Sequence, residues 1–277
     1  MRWSDRQQAM LGEMGLRLWL PKEPSPGTEP DESLAAPAPT ASALPPHATA
    51  AEPVAAPRPP AAPPAAAPPA ARPIAVRSAA NAAPADHLDW PALQAAVQAC
   101  TACSLCETRR NTVFGVGHQQ AHCMIVGEAP GEQEDLQGEP FVGAAGQLLD
   151  RMLFALGLTR QAESPARQVF IANTLKCRPP RNRNPAPEEL AACQPYLQRQ
   201  VALVQPRVII AMGRFAVQSL LGTDEPIGKL RGRVHDWQGV PLVVTYHPAY
   251  LLRQPADKAR AWDDLCLAAQ CLESAGV

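Results

Sequence analysis

Residues 125–146 read IVGEAPGEQEDLQGEPFVGAAG. An apolar run breaks into glycines, a proline and five acids, and then a lone aromatic residue, Phe141, follows Pro140. Glycine lets a backbone come close to a ligand, and a carboxylate activates water or stabilises a developing cation. An aromatic face stacks on a flat ring. Farther along stand Asn173, the basic segments KCRPPRNR (176–183) and KLRGR (229–233), and HPAYLLR (247–253). Together they offer an amide, an imidazole and several guanidinium groups.

The cysteines form a second set. CTACSLC places Cys100, Cys103 and Cys106 at three-residue steps, and Cys177 and Cys193 follow much later. Two close thiolates plus two distant ones enclose either a zinc ion or a 4Fe-4S cluster, and spacing alone does not choose between them. Cys123, Cys266 and Cys271 fall in apolar strand or helix patterns and read as core residues.

Four short β-branched runs position these groups: HCMIVG (122–127), QVFIAN (168–173), RVIIAM (207–212) and PLVVTY (241–246). Helical patterns separate and follow them: GQLLDRMLFALG, PEELAACQPYLQRQVALV, GRFAVQSLLG and ARAWDDLCLAAQCLE. Strict alternation implies right-handed crossovers and an α/β fold, a three-layer αβα sandwich around a four-stranded parallel sheet. Ligands of such sheets bind at the carboxyl ends of the strands. Gly127-Glu128-Ala129, Asn173, Gly213-Arg214 and His247 follow those ends.

Composition confines the folded part. About 18 of the 32 prolines lie between residues 21 and 86, within an Ala/Pro-rich stretch that has too few large apolar groups to offset chain entropy. The expected organisation is an amphipathic peptide at 1–20, a disordered linker at 21–86 and a catalytic domain at 87–277. Net charge is −1, so nucleic-acid binding would have to rest on local basic patches. Apolar runs fall short of the ~18 residues of a membrane span, and the charged start MRWSDRQQAML is unlike a signal peptide. A cytoplasmic location is expected, where eight cysteines point to metal or redox chemistry rather than disulfides.

The motifs CTAC, GEAPGEQED, GEPFVGAAGQLL, NTLKCRPPRNRNP and HPAYLLR, in this order over about residues 97–272, resemble those of family 4 uracil-DNA glycosylases, the iron-sulfur type. The resemblance implies an enzyme of base-excision repair that flips uracil out of DNA and hydrolyses its N-glycosidic bond. It implies a 4Fe-4S cluster on Cys100, Cys103, Cys177 and Cys193, with Cys106 outside the ligand set. Uracil would lie against Phe141, Asn173 and the backbone of Gly127, Glu128 and Ala129. An Asn amide offers an acceptor and a donor, matching N3-H and O4 of uracil. His247 would donate to O2 as charge grows on the leaving base, and Glu128 would stabilise the sugar cation and position water, with Glu134 and Asp135 as further candidates. Family 1 enzymes carry an Asp one position later, where this chain has Ala129. Arg178, Arg181, Arg183 and Arg253 would hold DNA phosphates, and Leu251 or Leu252, the former preferred, would wedge into the gap left by the base.

The first 20 residues include MGLRLWLP, which resembles the N-terminal peptide of the clamp-loader psi subunit. Residues 7–21 are therefore a candidate anchor for a replication protein, the chi subunit or the sliding clamp, on a monomeric enzyme. Two rival functions follow from the same residues: a non-catalytic, metal-stapled nucleic-acid-binding module, and a variant that traps uracil-DNA covalently. The second carries an extra basic loop after the region matching Asn173, and NTLKCRPPRNRNP has no such insert.

Overall fold

A computed structural model of the chain describes residues 85–275. The N-terminal peptide and nearly all of the linker lie outside the described residues. Ala85, two positions before the expected domain start, is already buried in the core.

The sheet has six strands in the order β1-β3-β2-β4-β6-β5. These are β1 (Val116–Gly117), β2 (Cys123–Gly127), β3 (Phe170–Asn173), β4 (Val208–Met212), β5 (Val234–Trp237) and β6 (Val240–Thr245). The interior four, β3, β2, β4 and β6, are parallel, as the four apolar runs predict. Outside this central four-stranded parallel sheet, β1 and β5 add antiparallel edges. Each escapes the apolar signature, β1 by its length of two residues and β5 because its VHDW sequence is largely solvated.

The helices are α1 (Trp90–Gln98), α2 (Glu132–Gln137), α3 (Ala144–Ala155), α4 (Pro187–Val204), α5 (Arg214–Leu221), α6 (Ile227–Leu230), α7 (Pro248–Arg253) and α8 (Lys258–Ser274). Successive strand residues face opposite sides of the sheet, so each fully buried strand feeds two cores. Cys123, Ile125, Ile171, Ile210 and Val243 pack against α3, α7 and α8. Met124, Val126, Ala172, Ala211 and Val244 pack against α1, α4, α5 and α6. This is the three-layer sandwich. Trp90 locks α1 onto it by edge contacts to Phe114 and Phe170, at 5.3 and 5.2 Å between ring centres.

One expected contact is overturned here. Leu251, on the core side of α7, has no exposure and packs among Val243 and Trp262. It cannot serve as a wedge in this conformation. Leu252 is the outward one, 45% exposed. Leu251→Ala should lower stability by about 2–5 kcal/mol, as a buried leucine cavity does, and Leu252→Ala by less than about 0.5 kcal/mol, both read from urea unfolding.

Candidate active site and cysteine pocket

The carboxyl ends of the parallel strands open into one cleft of about 860 Å³. Glu128, Ala129, Phe141, Asn173, Gly213 and His247 line it, joined by Arg183, Arg214 and Arg253. Loop tips spread over more than a hundred residues of sequence therefore meet.

Register explains much of this. Gly127 and Asn173 end adjacent parallel strands as direct partners, and Thr174 N–H donates to Gly127 C=O at 3.0 Å. A Cβ on Gly127 would collide with Asn173 Oδ1 and lie 2.6 Å from Phe141 Cζ. Only glycine lets the amide and the ring close over that strand end. Asn173 is 2% exposed, and its Oδ1 has no hydrogen-bond partner. An unpaired buried acceptor costs about 1–3 kcal/mol, which a ligand donor would recover.

Phe141 has φ of +56°, in the left-handed region that a bulky residue rarely enters. Two features impose it. Glu134 Oε1 accepts from Val142 N–H at 3.0 Å and Gly143 N–H at 3.2 Å, and Gly146 sits so close beneath that a Cβ there would overlap the Phe141 carbonyl. The Phe141 ring consequently stacks on His247, 5.4 Å between centres and 26° between planes.

His247 caps α7: its Nδ1 accepts from Ala249 N–H at 3.1 Å. The neutral ring must then carry its proton on Nε2. Burial, with help from Arg253 and against Glu134, pushes its pKa down to about 4. His247 is thus an uncharged donor at neutral pH. Burial also raises the Glu128 carboxyl, with Arg214 pulling the other way. Its backbone is fixed, since Glu128 C=O accepts from Leu175 N–H at 3.1 Å and from the Thr174 hydroxyl.

The further acidic candidates have structural work. Glu134 clamps the Phe141 loop, while buried Asp135 accepts from Arg110 N–H at 2.9 Å and Asn111 N–H at 3.3 Å and does not reach the cleft. Among the expected phosphate contacts, Arg253 is exposed at the cleft wall and Arg181 is exposed on its loop. Arg178 donates to Asn182 at 2.8 Å. Arg183 clasps the buried Glu189 carboxylate with two hydrogen bonds, 2.9 and 2.5 Å. Burial alone would raise the Glu189 pKa, but the Arg183 hydrogen bonds and the Ala186 N–H outweigh it and leave it lowered. Arg214, which the sequence places just past a strand end, lines the cleft. Tyr246 and Tyr250, stacked 5.1 Å apart on the cleft wall, likewise follow the last strand.

Cys100, Cys103, Cys106, Cys177 and Cys193 line a second pocket. All eight cysteines are free thiols. Four of these five sulfurs each receive a donor. Tyr196 OH serves Cys100, Leu105 N–H serves Cys103, Lys176 N–H serves Cys193, and Arg109 Nη1 lies 3.1 Å from Cys177 Sγ. Desolvation nonetheless lifts Cys103 to about 11 and Cys193 to about 12. Among the described residues no group of three or more His, Cys, Asp or Glu is set to hold a metal ion.

A sequence profile of the uracil DNA glycosylase superfamily matches residues 114–266. The chain belongs to that superfamily. The type-4 uracil-DNA glycosylase of Archaeoglobus fulgidus is 44% identical over 167 residues, 57% of this chain and 81% of that protein. That of Saccharolobus solfataricus is 45% identical over 168 residues, 57% of this chain and 75% of its own length. The type-5 enzyme of Pyrobaculum aerophilum is 35% identical over 147 residues, 49% of this chain and 64% of its own. The superfamily match spans the cleft from Glu128 to Arg253 and takes in Cys177 and Cys193, but begins after Cys100 and Cys103. Among the described residues no helix is long and apolar enough to cross a membrane.

The unfolded His247 ring takes up its proton near its ordinary 6.5, the folded one only near 4. Its stabilising contribution is therefore full above pH 6.5 and is lost as pH falls toward 4. His247→Gln should flatten the dependence of the urea midpoint on pH between 7 and 5.

Proposed function

We propose that this protein is a type-4 uracil-DNA glycosylase, which extrudes uracil from DNA and hydrolyses the C1′–N1 bond. The observation that carries the reading is the meeting of Phe141, Asn173 and His247 in one cleft. Asn173 reads the polar edge of the base, and its unpaired Oδ1 awaits the N3-H donor. Cytosine presents an acceptor at N3 and a donor at C4 and mismatches this amide. Phe141 covers the ring, and the backbone of Gly127 to Ala129 bounds the slot.

In the reaction, negative charge gathers on the departing base and positive charge on the deoxyribose. His247 donates from Nε2 to O2, which stabilises the first without first having to lose or gain a proton. Glu128, facing Arg214, stabilises the second and orients the attacking water. Arg253, Arg214 and the arginine loop at 178–183 supply phosphate contacts, with Leu252 at the exposed tip of α7 as the wedge in place of Leu251.

The cysteine pocket suits a 4Fe-4S cluster held by Cys100, Cys103, Cys177 and Cys193. These four sulfurs have donors, and donors to sulfur are the usual support of ligating thiolates. The group supplies a structural tie rather than chemistry on DNA. Cys106 stays outside the set, as the family resemblance implies. Reduced thiols suit the cytoplasm, and MGLRLWLP in the N-terminal peptide remains the motif behind a replication-protein anchor.

Purified protein incubated with a uracil oligonucleotide and then alkali should cut that strand and spare a thymine control; an uncut uracil strand would end the proposal. His247→Ala should slow release about 10²–10³-fold and Glu128→Gln about 10²–10⁴-fold. The acid limb of kcat/KM should lie above the ordinary carboxyl value, follow Glu128 and vanish in Glu128→Gln. Cys193→Ala should abolish the visible iron-sulfur absorption, while Cys106→Ala keeps it.

A further inference from the structure

The wall between the cleft and the cysteine pocket contains a lysine with no carboxylate partner among the described residues. Lys176 is 1% exposed, and its Nζ donates to Asn173 C=O at 2.7 Å and Gln200 Oε1 at 2.6 Å. Gln200 passes the contact on, through its Nε2, to Phe114 C=O at 2.8 Å. Every acceptor in this chain is neutral. An ammonium taken out of water costs several kcal/mol unless an opposite charge compensates it.

Lys176 also lines the cysteine pocket, together with Arg109, and no carboxylate does. Glu189, the acid that acts on Cys103, is already neutralised by Arg183. Thiolates are the remaining source of negative charge, and four of them around an iron-sulfur centre leave a net anion. The backbone ties the same residue down on both sides. Lys176 N–H serves Cys193, and Lys176 C=O accepts from Val113 N–H at 2.8 Å. At the other end, the carbonyl that Nζ grips belongs to the residue whose side-chain Oδ1 stands unpaired in the cleft.

We propose that Lys176 is a positioning residue that couples the two sites: its ammonium is the counter-charge to the anionic cysteine assembly and, at once, the clamp that aims the Asn173 amide at the extruded base. This rests on the function and cluster proposed above. If the anion is lost, the cation loses its compensation, and its grip on Asn173 weakens.

Lys176→Met keeps length and apolar bulk while removing charge and donors. The expected result is a rise in KM for uracil DNA of roughly ten-fold, equivalent to one lost charge-assisted hydrogen bond, with a smaller change in kcat. The visible absorption of the centre should also decay several-fold faster under an iron chelator, with far-UV circular dichroism unchanged. A merely structural lysine would not divide KM from kcat in this way. Gln200→Leu removes one acceptor and leaves the cation, so it should raise KM about three-fold and retain iron as the wild type does. Wild-type KM and wild-type iron retention in Lys176→Met would overturn the coupling. If that variant does not fold, unchanged KM in Gln200→Leu overturns it instead. Wild-type protein that releases no uracil would overturn the functional reading itself, a result distinct from either.

Discussion

Parallel pairing of β2 with β3 and β4, and of β4 with β6, places four strand ends at one edge of the sheet. Each chain segment must leave its strand there and turn away, so backbone and side chains with no place in either core accumulate at that edge. The cleft follows from this constraint. Gly127 and Asn173 are partners in the register, Gly213 N–H donates to Thr245 C=O at 3.1 Å, and His247 begins the turn out of β6. A shift of one residue in any pairing would turn the corresponding group into a core face. Apolar contacts on both faces, from Ile125 to Val126 and from Ile210 to Ala211, oppose such a shift.

Rigidity around the cleft comes from groups that do not themselves meet a base. Glu134 pins two backbone amides so that Phe141 stays in a backbone conformation it would otherwise leave, and Ala249 fixes which His247 nitrogen bears the proton. Arg183 and Glu189 brace the arginine loop against the start of α4, where Glu189 also accepts from Ala186 N–H at 2.8 Å. Orientation is thus set before a ligand arrives, which lowers the ordering cost of binding.

The interior strands and the longer helices are legible in the sequence because burial on both faces leaves continuous β-branched runs, and helix α4 announces itself by Pro187 at its first turn. The edges are not. Val234–Trp237 alternates exposed and covered positions over only four residues, and Val116–Gly117 is too short to carry any period. At the site, Gly127, Glu128, Asn173 and His247 are legible as residues at or just past strand ends. Leu251 and Leu252 are not separable by that logic, because which of two neighbours on a one-turn-and-a-half helix faces inward depends on its docking angle. The roles of Glu134, Asp135 and Arg183 are hidden for a similar reason: their partners, Val142, Arg110 and Glu189, are identified by geometry and not by spacing.

The cysteine pocket joins a segment before the first strand to one after the third. During synthesis, Cys100 and Cys103 leave the ribosome well before Cys177 and Cys193. A nascent chain therefore carries its first pair of thiols exposed while the second pair is still untranslated. The interval in which these thiols are open to oxidation belongs to translation, and slow synthesis of residues 104–176 would lengthen it.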